Sequence, residues 1–268
     1  MAVPAGLFLL ADSRLPAGGH GHSGGVEALV DRGLLTSVAD LALFLAARIR
    51  TAGLVAASFA ASACSVAAAD RQAAALNVTA ADRQAAAPRG TAAGTPVSGE
   101  LGHSPTRHSR GWAAWDAGLD VRTPSAALRE ASRAQGAALL RTSTRAWPTS
   151  VALRELAELR RPHQPLVLGA AAEAAGASPA QAAALALHHL SGGAASAAVR
   201  LLGLDPLAAA AAQASLAPLA DRVAGAATEA AALAVAADDP DLLPADATPL
   251  PEILAELHHA SEVTLFAS

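Results

Sequence analysis

The chain predicts an all-α protein, and three observations carry that expectation. Apolar residues fill 53% of its 268 positions while aromatics fill 3% and tyrosine is absent, so the core must be built from Ala, Leu and Val. Alanine is the strongest helix former and the strand-favouring aromatics are scarce, which tilts the balance toward helix. Apolar residues recur at helical spacing through most of the chain, and no stretch alternates with the period of a strand. The expected architecture is a single-domain helical bundle with a disordered internal insertion and a C-terminal amphipathic tail.

Residues 7–12 form a short apolar start, followed by a Gly-rich loop over 16–25. Ser37 can cap a helix in which Leu41, Phe44, Leu45, Arg48, Ile49 and Ala52 fall on or beside one face. Gly53 is placed to interrupt it, and a further Ala-rich helix runs to about Ala75. The sequence AlaAspArgGlnAlaAlaAla occurs at 69–75 and again at 81–87, two copies where a solenoid needs at least three. Residues 88–111 are rich in Gly, Pro, Thr, Ser and Arg, and 77–111 as a whole reads as a largely disordered insertion. His103 and His108 within it read as solvated.

Thr123-Pro124 reads as an N-cap with Pro at the first helical position. The helix it opens carries Leu128, Ser132, Gln135 and Leu139 along one stripe. Two polar residues on such a stripe either hydrogen-bond a neighbouring helix or face a partner. Helices over 151–160 and 165–175 follow. Ser178-Pro179-Ala180-Gln181 is a full capping box for a helix through His188 and His189, which Gly192 and Gly193 should break or kink before 196–202. Asp205-Pro206 opens another helix, and 219–237 forms the next. Residues 238–251 are acidic and Pro-rich, a linker to the amphipathic stretch 252–266.

Composition excludes several functions. The formal charge is −4 and all 19 cationic side chains are Arg, with no basic stripe for nucleic acid. The complete lack of lysine excludes a P-loop nucleotide site and Schiff-base chemistry. A single cysteine, Cys64, excludes an intramolecular disulfide and a CxxC zinc site. Residues 1–11 lack the basic start of a secretory signal, and the uncharged stretch 51–69 is too rich in Ala and Ser to insert reliably in a membrane. The expectation is a soluble cytoplasmic protein with no nucleic-acid or membrane partner.

The loop Pro16-Ala17-Gly18-Gly19-His20-Gly21-His22-Ser23-Gly24-Gly25 is the densest unusual segment. His20 and His22 could share a divalent metal, but two ligands fall short of the usual three or more. Ser23 could be a nucleophile, although the G-x-S-x-G strand-turn-helix context is missing. The alternative is a glycine-enabled turn with Ser23 capping the next helix near Glu27, its surface used for recognition. His188-His189 and His258-His259 project about 100° apart on their helices and read as surface residues. No catalytic constellation stands out. A protein that works by binding other proteins is the best reading, against a small serine hydrolase using Ser23 or a helical oligomer with no metal connection.

The opening Leu9-Leu10-Ala11-Asp12-Ser13-Arg14-Leu15-Pro16-Ala17-Gly18-Gly19, followed by His22-Ser23-Gly24-Gly25-Val26-Glu27, resembles the start of the UreF family of urease accessory proteins. Three further blocks agree in order: Ser132-Arg133-Ala134-Gln135-Gly136 with Leu139-Leu140, Pro165-Leu166-Val167-Leu168-Gly169, and Ser196-Ala197-Ala198-Val199-Arg200-Leu201. The end, from Leu257-His258-His259 to Leu265-Phe266-Ala267-Ser268, is similar to the family's His-containing Leu-Phe-x-Ser terminus. His20 stands where the family often has an aromatic, and Thr264 where it usually has Arg. The resemblance implies a non-catalytic helical protein that dimerises and docks UreD (also called UreH) and the GTPase UreG to deliver nickel to apo-urease. It implies no permanently bound cofactor, only transient nickel. Partner-contacting residues would be Pro16, Gly18, Gly19, His22, Ser23 and Glu27 in the loop, Ser132, Arg133 and Gln135 in the central helix, Arg200, and His258, Leu265 and Phe266 in the tail.

Overall fold

A computed structural model describes residues 3–16, 22–86 and 111–259, with the backbone alone for 77–86 and His259. Every extended run of regular structure among them is helical: α1 Ala5–Ala11, α2 Val26–Val30, α3 Val38–Arg48, a π-helical turn Ile49–Gly53, α4 Leu54–Ala86, α5 Gly111–Val121 and α6 Ala126–Ala146. The chain continues with α7 Val151–Ala157, α8 Gln164–Ala174, α9 Pro179–Leu202, α10 Pro206–Ser215, α11 Ala217–Ala237, a 3-10 turn Pro240–Leu242 and α12 Pro249–His259. The all-α bundle expected from composition is the fold observed.

Local signals explain most boundaries. Ser37 and Asp40 form a reciprocal capping box at α3, and Ser178 and Gln181 another at α9. Asp205 caps α10 by accepting from the amide of Leu207. Three boundaries differ from expectation. The α6 cap is Ser125, whose hydroxyl accepts from Leu128 N, so Thr123-Pro124 lies outside the helix. Gly192 and Gly193 neither break nor kink α9 into two helices, because each costs only about 1 kcal/mol against 22 other helical residues. The backbone of α4 stays helical through Ala86, past the expected start of the insertion at 77. The remainder of that segment, 87–110, with His103 and His108, lies outside the described residues.

Two apolar cores organise the bundle. The larger joins α4, α8, the first half of α9 and α11, and includes Phe59, Trp115, Leu153, Leu156, Leu166 and Leu168. The smaller joins Val26, Ala28 and Leu29 of α2, Leu41 and Leu45 of α3, Ala194, Ala195, Ala197 and Ala198 of α9 and Leu254 of α12. Helix α8 sits at the centre, with every residue from 165 to 173 buried. It crosses α4 so closely that a Cβ on Gly169 would lie 2.1 Å from the carbonyl oxygen of Ala60. The stretch Val38–Leu76 is apolar and long enough to cross a membrane, but 67% of its most apolar window is buried inside the bundle, as in a core helix.

The α1 helix is held to α9 by His189, whose Nε2 donates to the carbonyl of Leu10 at 2.9 Å. Burial pulls the His189 pKa down to about 4, helped by the neighbouring His188. The native protein therefore binds fewer protons than the unfolded chain between about pH 4 and the ordinary histidine value of 6.5. Stability is held above 6.5 and is lost as pH falls through that window.

Gly169→Ala forces backbone apart and should cost about 1–3 kcal/mol or more, lowering Tm by roughly 2–4 °C per kcal/mol. Gly192→Ala, whose Cβ meets nothing within 4 Å, should instead gain about 0.5–1 kcal/mol; thermal melts of the two variants check the opposite signs. Urea midpoints of wild type and His189→Gln, compared at pH 7 and pH 4.5, should show a smaller loss on acidification for the variant.

Candidate functional site

The amphipathic helix α12 packs against α2 and α6 through an inward face of Pro251, Leu254, Ala255 and His258. His258 is buried, not a surface residue as the His-His pairing suggested. Its Nε2 lies 3.2 Å from a carboxylate oxygen of buried Glu27, and its Nδ1 3.9 Å from Asp31. Glu256 reaches across to the start of α6, where its carboxylate accepts from Ser125 Oγ at 2.6 Å and from the amide of Ala127 at 2.9 Å. A carboxylate there also meets the positive end of the helix dipole. A third tie joins the hydroxyls of Thr248 and Thr51.

Arg48 braces the loop that leads into α2. Its Nη1 donates to the carbonyl of Gly24 at 2.5 Å, and its guanidinium stacks 5.7 Å from the centroid of Phe44. Burial pulls its pKa down to about 10, an effect partly offset by the charge of Glu252.

The outward face of α12 is apolar. Leu250, Ile253 and Leu257 recur at i, i+3 and i+7 and are 52%, 58% and 51% exposed. Leu250 also closes one side of a groove of about 270 Å³, whose other walls are Leu29, Leu34, Leu35, Asp40, Leu43 and Phe44. Leu34 and Leu43 are themselves exposed. A run of large exposed apolar side chains beside a groove marks a protein-binding surface more often than an ordinary solvated face.

A second polar cluster lies where α5, α6 and α8 meet. Arg133 donates to Asp116 Oδ2 at 2.9 Å and to Asp120 Oδ2 at 2.7 Å. His163, only 1% exposed at the start of α8, lies 2.9 Å from Ser132 Oγ through Nδ1 and 2.9 Å from Asp120 Oδ1 through Nε2. Its backbone amide donates to Asp116 at 2.8 Å. Serine, histidine and aspartate thus stand in the order of a hydrolytic triad, which sequence inspection missed. The same contacts tie α5, α6 and the start of α8 together. Ser132 Oγ also accepts from the amide of Gln164 at 3.3 Å, which makes it a cap for α8. Beside it, a Cβ on Gly136 would fall 2.0 Å from the carbonyl of Pro162, so α6 and the start of α8 meet backbone to backbone here. Burial lowers the His163 pKa, and the nearby Arg133 charge acts the same way against the hydrogen bond to Asp120.

The residues singled out from sequence fall into different settings. Ser132 is the hydrogen-bonding case of the two alternatives for the α6 stripe, while Gln135 is half-buried on the same helix. Pro16 accepts from Thr142 Oγ1 at 3.1 Å, tying the loop to α6. His22 is half-buried, and Ser23 is fully buried with its hydroxyl unpartnered. Gly25, not Ser23, occupies the N-cap of α2. Arg200 is exposed in the last turn of α9. Gly18, Gly19, His20, Leu265 and Phe266 lie outside the described residues. Among the described residues no three His, Cys, Asp or Glu side chains converge as a metal site requires. Arg48, Glu256 and His163 carry no local motif, so only the fold brings them to notice.

Arg133→Ala should remove three charge-assisted bonds, to Asp116, Asp120 and the carbonyl of Arg161, and leave Asp116 poorly solvated, at a cost of about 2–3 kcal/mol. Ser132→Ala should cost about 1 kcal/mol. Denaturant melts read by helical circular dichroism check both magnitudes.

The UreF family model matches residues 35–217. A urease accessory protein UreF from Mycobacterium sp. (strain JLS) is 40% identical over 179 residues, covering 66% of this chain and 63% of that protein. That of Mycolicibacterium vanbaalenii is 38% identical over 180 residues, covering 67% and 64%. That of Mycobacterium tuberculosis (strain H37Rv) is 35% identical over 179 residues, with the same shares. The matched stretch spans just under two-thirds of the length of these relatives. With more than half of its residues matched by the family model and a helical fold that carries the family's sequence blocks, this chain belongs to the UreF family.

Proposed function

We propose that the protein is a non-catalytic scaffold for urease maturation, which bridges a UreD/UreH-like protein and a UreG-like GTPase during nickel delivery to apo-urease. The observation that carries this reading is the apolar outer stripe of α12, Leu250, Ile253 and Leu257, continuous at Leu250 with the α2–α3 groove. Large apolar side chains left half exposed on a seated helix suit insertion into a partner's groove. Family membership supplies the partner class. The absence of lysine requires that any P-loop GTPase of the assembly be another chain. Nickel is cargo in this reading, with His20 and His22 touching it at most transiently. The scaffold acts in the cytoplasm and as a homodimer within the complex.

Co-purification with the cognate UreD-like protein, followed by addition of UreG, tests the reading. Replacing Leu250, Ile253 and Leu257 together with Ser should leave the helical signal intact, because all three point outward. Loss of three central apolar anchors should weaken capture of the UreD-like partner about 30-fold or more and abolish nickel-dependent urease activation. Undiminished capture by the triple variant would move the docking surface elsewhere. Unchanged nickel uptake by His20→Ala/His22→Ala protein would end the transient-contact idea.

A further inference from the structure

The outward stripe of α12 is useful only if α12 is held in place, and its inward ties belong to three separate elements. Upstream of it, three backbone carbonyls between 241 and 244 converge on one side chain. Arg122, at the C-terminal end of α5, is 6% exposed. Its Nε donates to the carbonyl of Pro244 at 3.0 Å, and its Nη2 to those of Leu243 at 3.0 Å and Asp241 at 3.1 Å. Its Nη1 donates back to the carbonyl of Gly118 at 3.0 Å and lies 3.9 Å from the carboxylate of Asp241. The guanidinium plane rests on the ring of Phe59, 5.6 Å from the centroid, in the larger core. Pro240 and Leu243 are buried on either side.

We propose that Arg122 is the positioning residue of the partner-docking helix: it clamps the α11–α12 connection so that α12 is presented on its seat. The proposal rests on the reading of α12 as the docking element. The physical case has two parts. A planar fork with five N–H donors can hold three carbonyls within four residues, those of Asp241, Leu243 and Pro244, at once, which lysine cannot do. An eleven-residue helix is too short to persist alone in water, so α12 stays helical only while seated. Fixing residue 244 keeps the start of α12, five positions on, at high effective concentration near that seat. Arg122 touches neither α12 nor its outer stripe, so it acts through the connection.

Two readouts on the full chain separate the clamp from the docking reading. Hydrogen exchange of Arg122→Ala should lose protection at least about tenfold over 240–259, while α4 and α8 keep theirs. Capture of the UreD-like protein should weaken about tenfold or more in the same variant. Arg122→Lys keeps the charge and some donors, and should restore part of both; it also serves if the alanine variant fails to fold. Unchanged protection over 240–259 in both variants would overturn the clamp, whatever happens to binding. Lost protection with unchanged capture would support the clamp and instead overturn the docking reading of α12. Protection lost uniformly, through α4 and α8 as well, would reduce Arg122 to a general stabilising residue and also overturn the proposal.

Discussion

An alanine core stabilises a bundle only if its helices come very close. Each alanine removes little apolar surface from water, so the gain must come from many short contacts between near-bare backbones. The crossing of α4 and α8 is where that condition is met, with Gly169 over the carbonyl of Ala60. Once α8 is seated there, with all of 165–173 buried, α9 and α11 can close the remaining sides. The same rule governs the approach of α6 to the start of α8 at Gly136. Two blocks that resemble the UreF family, those ending in Gly136 and Gly169, are therefore first of all packing sites.

The smaller core is secured differently. Its apolar share from α12 is little more than Leu254 and Ala255, and charged or hydroxyl side chains supply the rest of the attachment. Glu27 with His258, Glu256 with the α6 terminus and Thr248 with Thr51 each join a different neighbour. Such ties are directional and individually modest, so they orient the helix more than they bury it. Its other apolar residues, Leu250, Ile253 and Leu257, stay about half exposed.

What could be read from sequence was what is encoded within a few residues. The capping boxes at Ser37 and Ser178 and the Asp205-Pro206 start are local hydrogen-bond patterns, and they recur in the structure as expected. The start of α6 was misplaced because its capping is partly supplied by Glu256, 131 positions away from Ser125. The cluster of Ser132, Asp120 and His163 was invisible for the same reason, with separations of 31 and 43 residues. Adjacency of two histidines suggests exposure, yet His258 is buried because a carboxylate on α2 receives it. Neighbours in sequence say little about burial when the partner comes from the other end of the chain.

The π-helical turn at 49–53 has a consequence for how this fold can change over time. It lets one nearly continuous rod serve both cores, with Leu41 and Leu45 before the turn in the smaller and Val55 and Phe59 after it in the larger. A π turn is in effect one residue added to an α-helix. Deleting that residue would restore regular phase and swing α3 by about 100° relative to α4. Both hydrophobic clusters could not then be satisfied by the same rod. The extra residue is therefore hard to lose, because the packing of α2, α3 and α12 in the smaller cluster depends on the phase it sets.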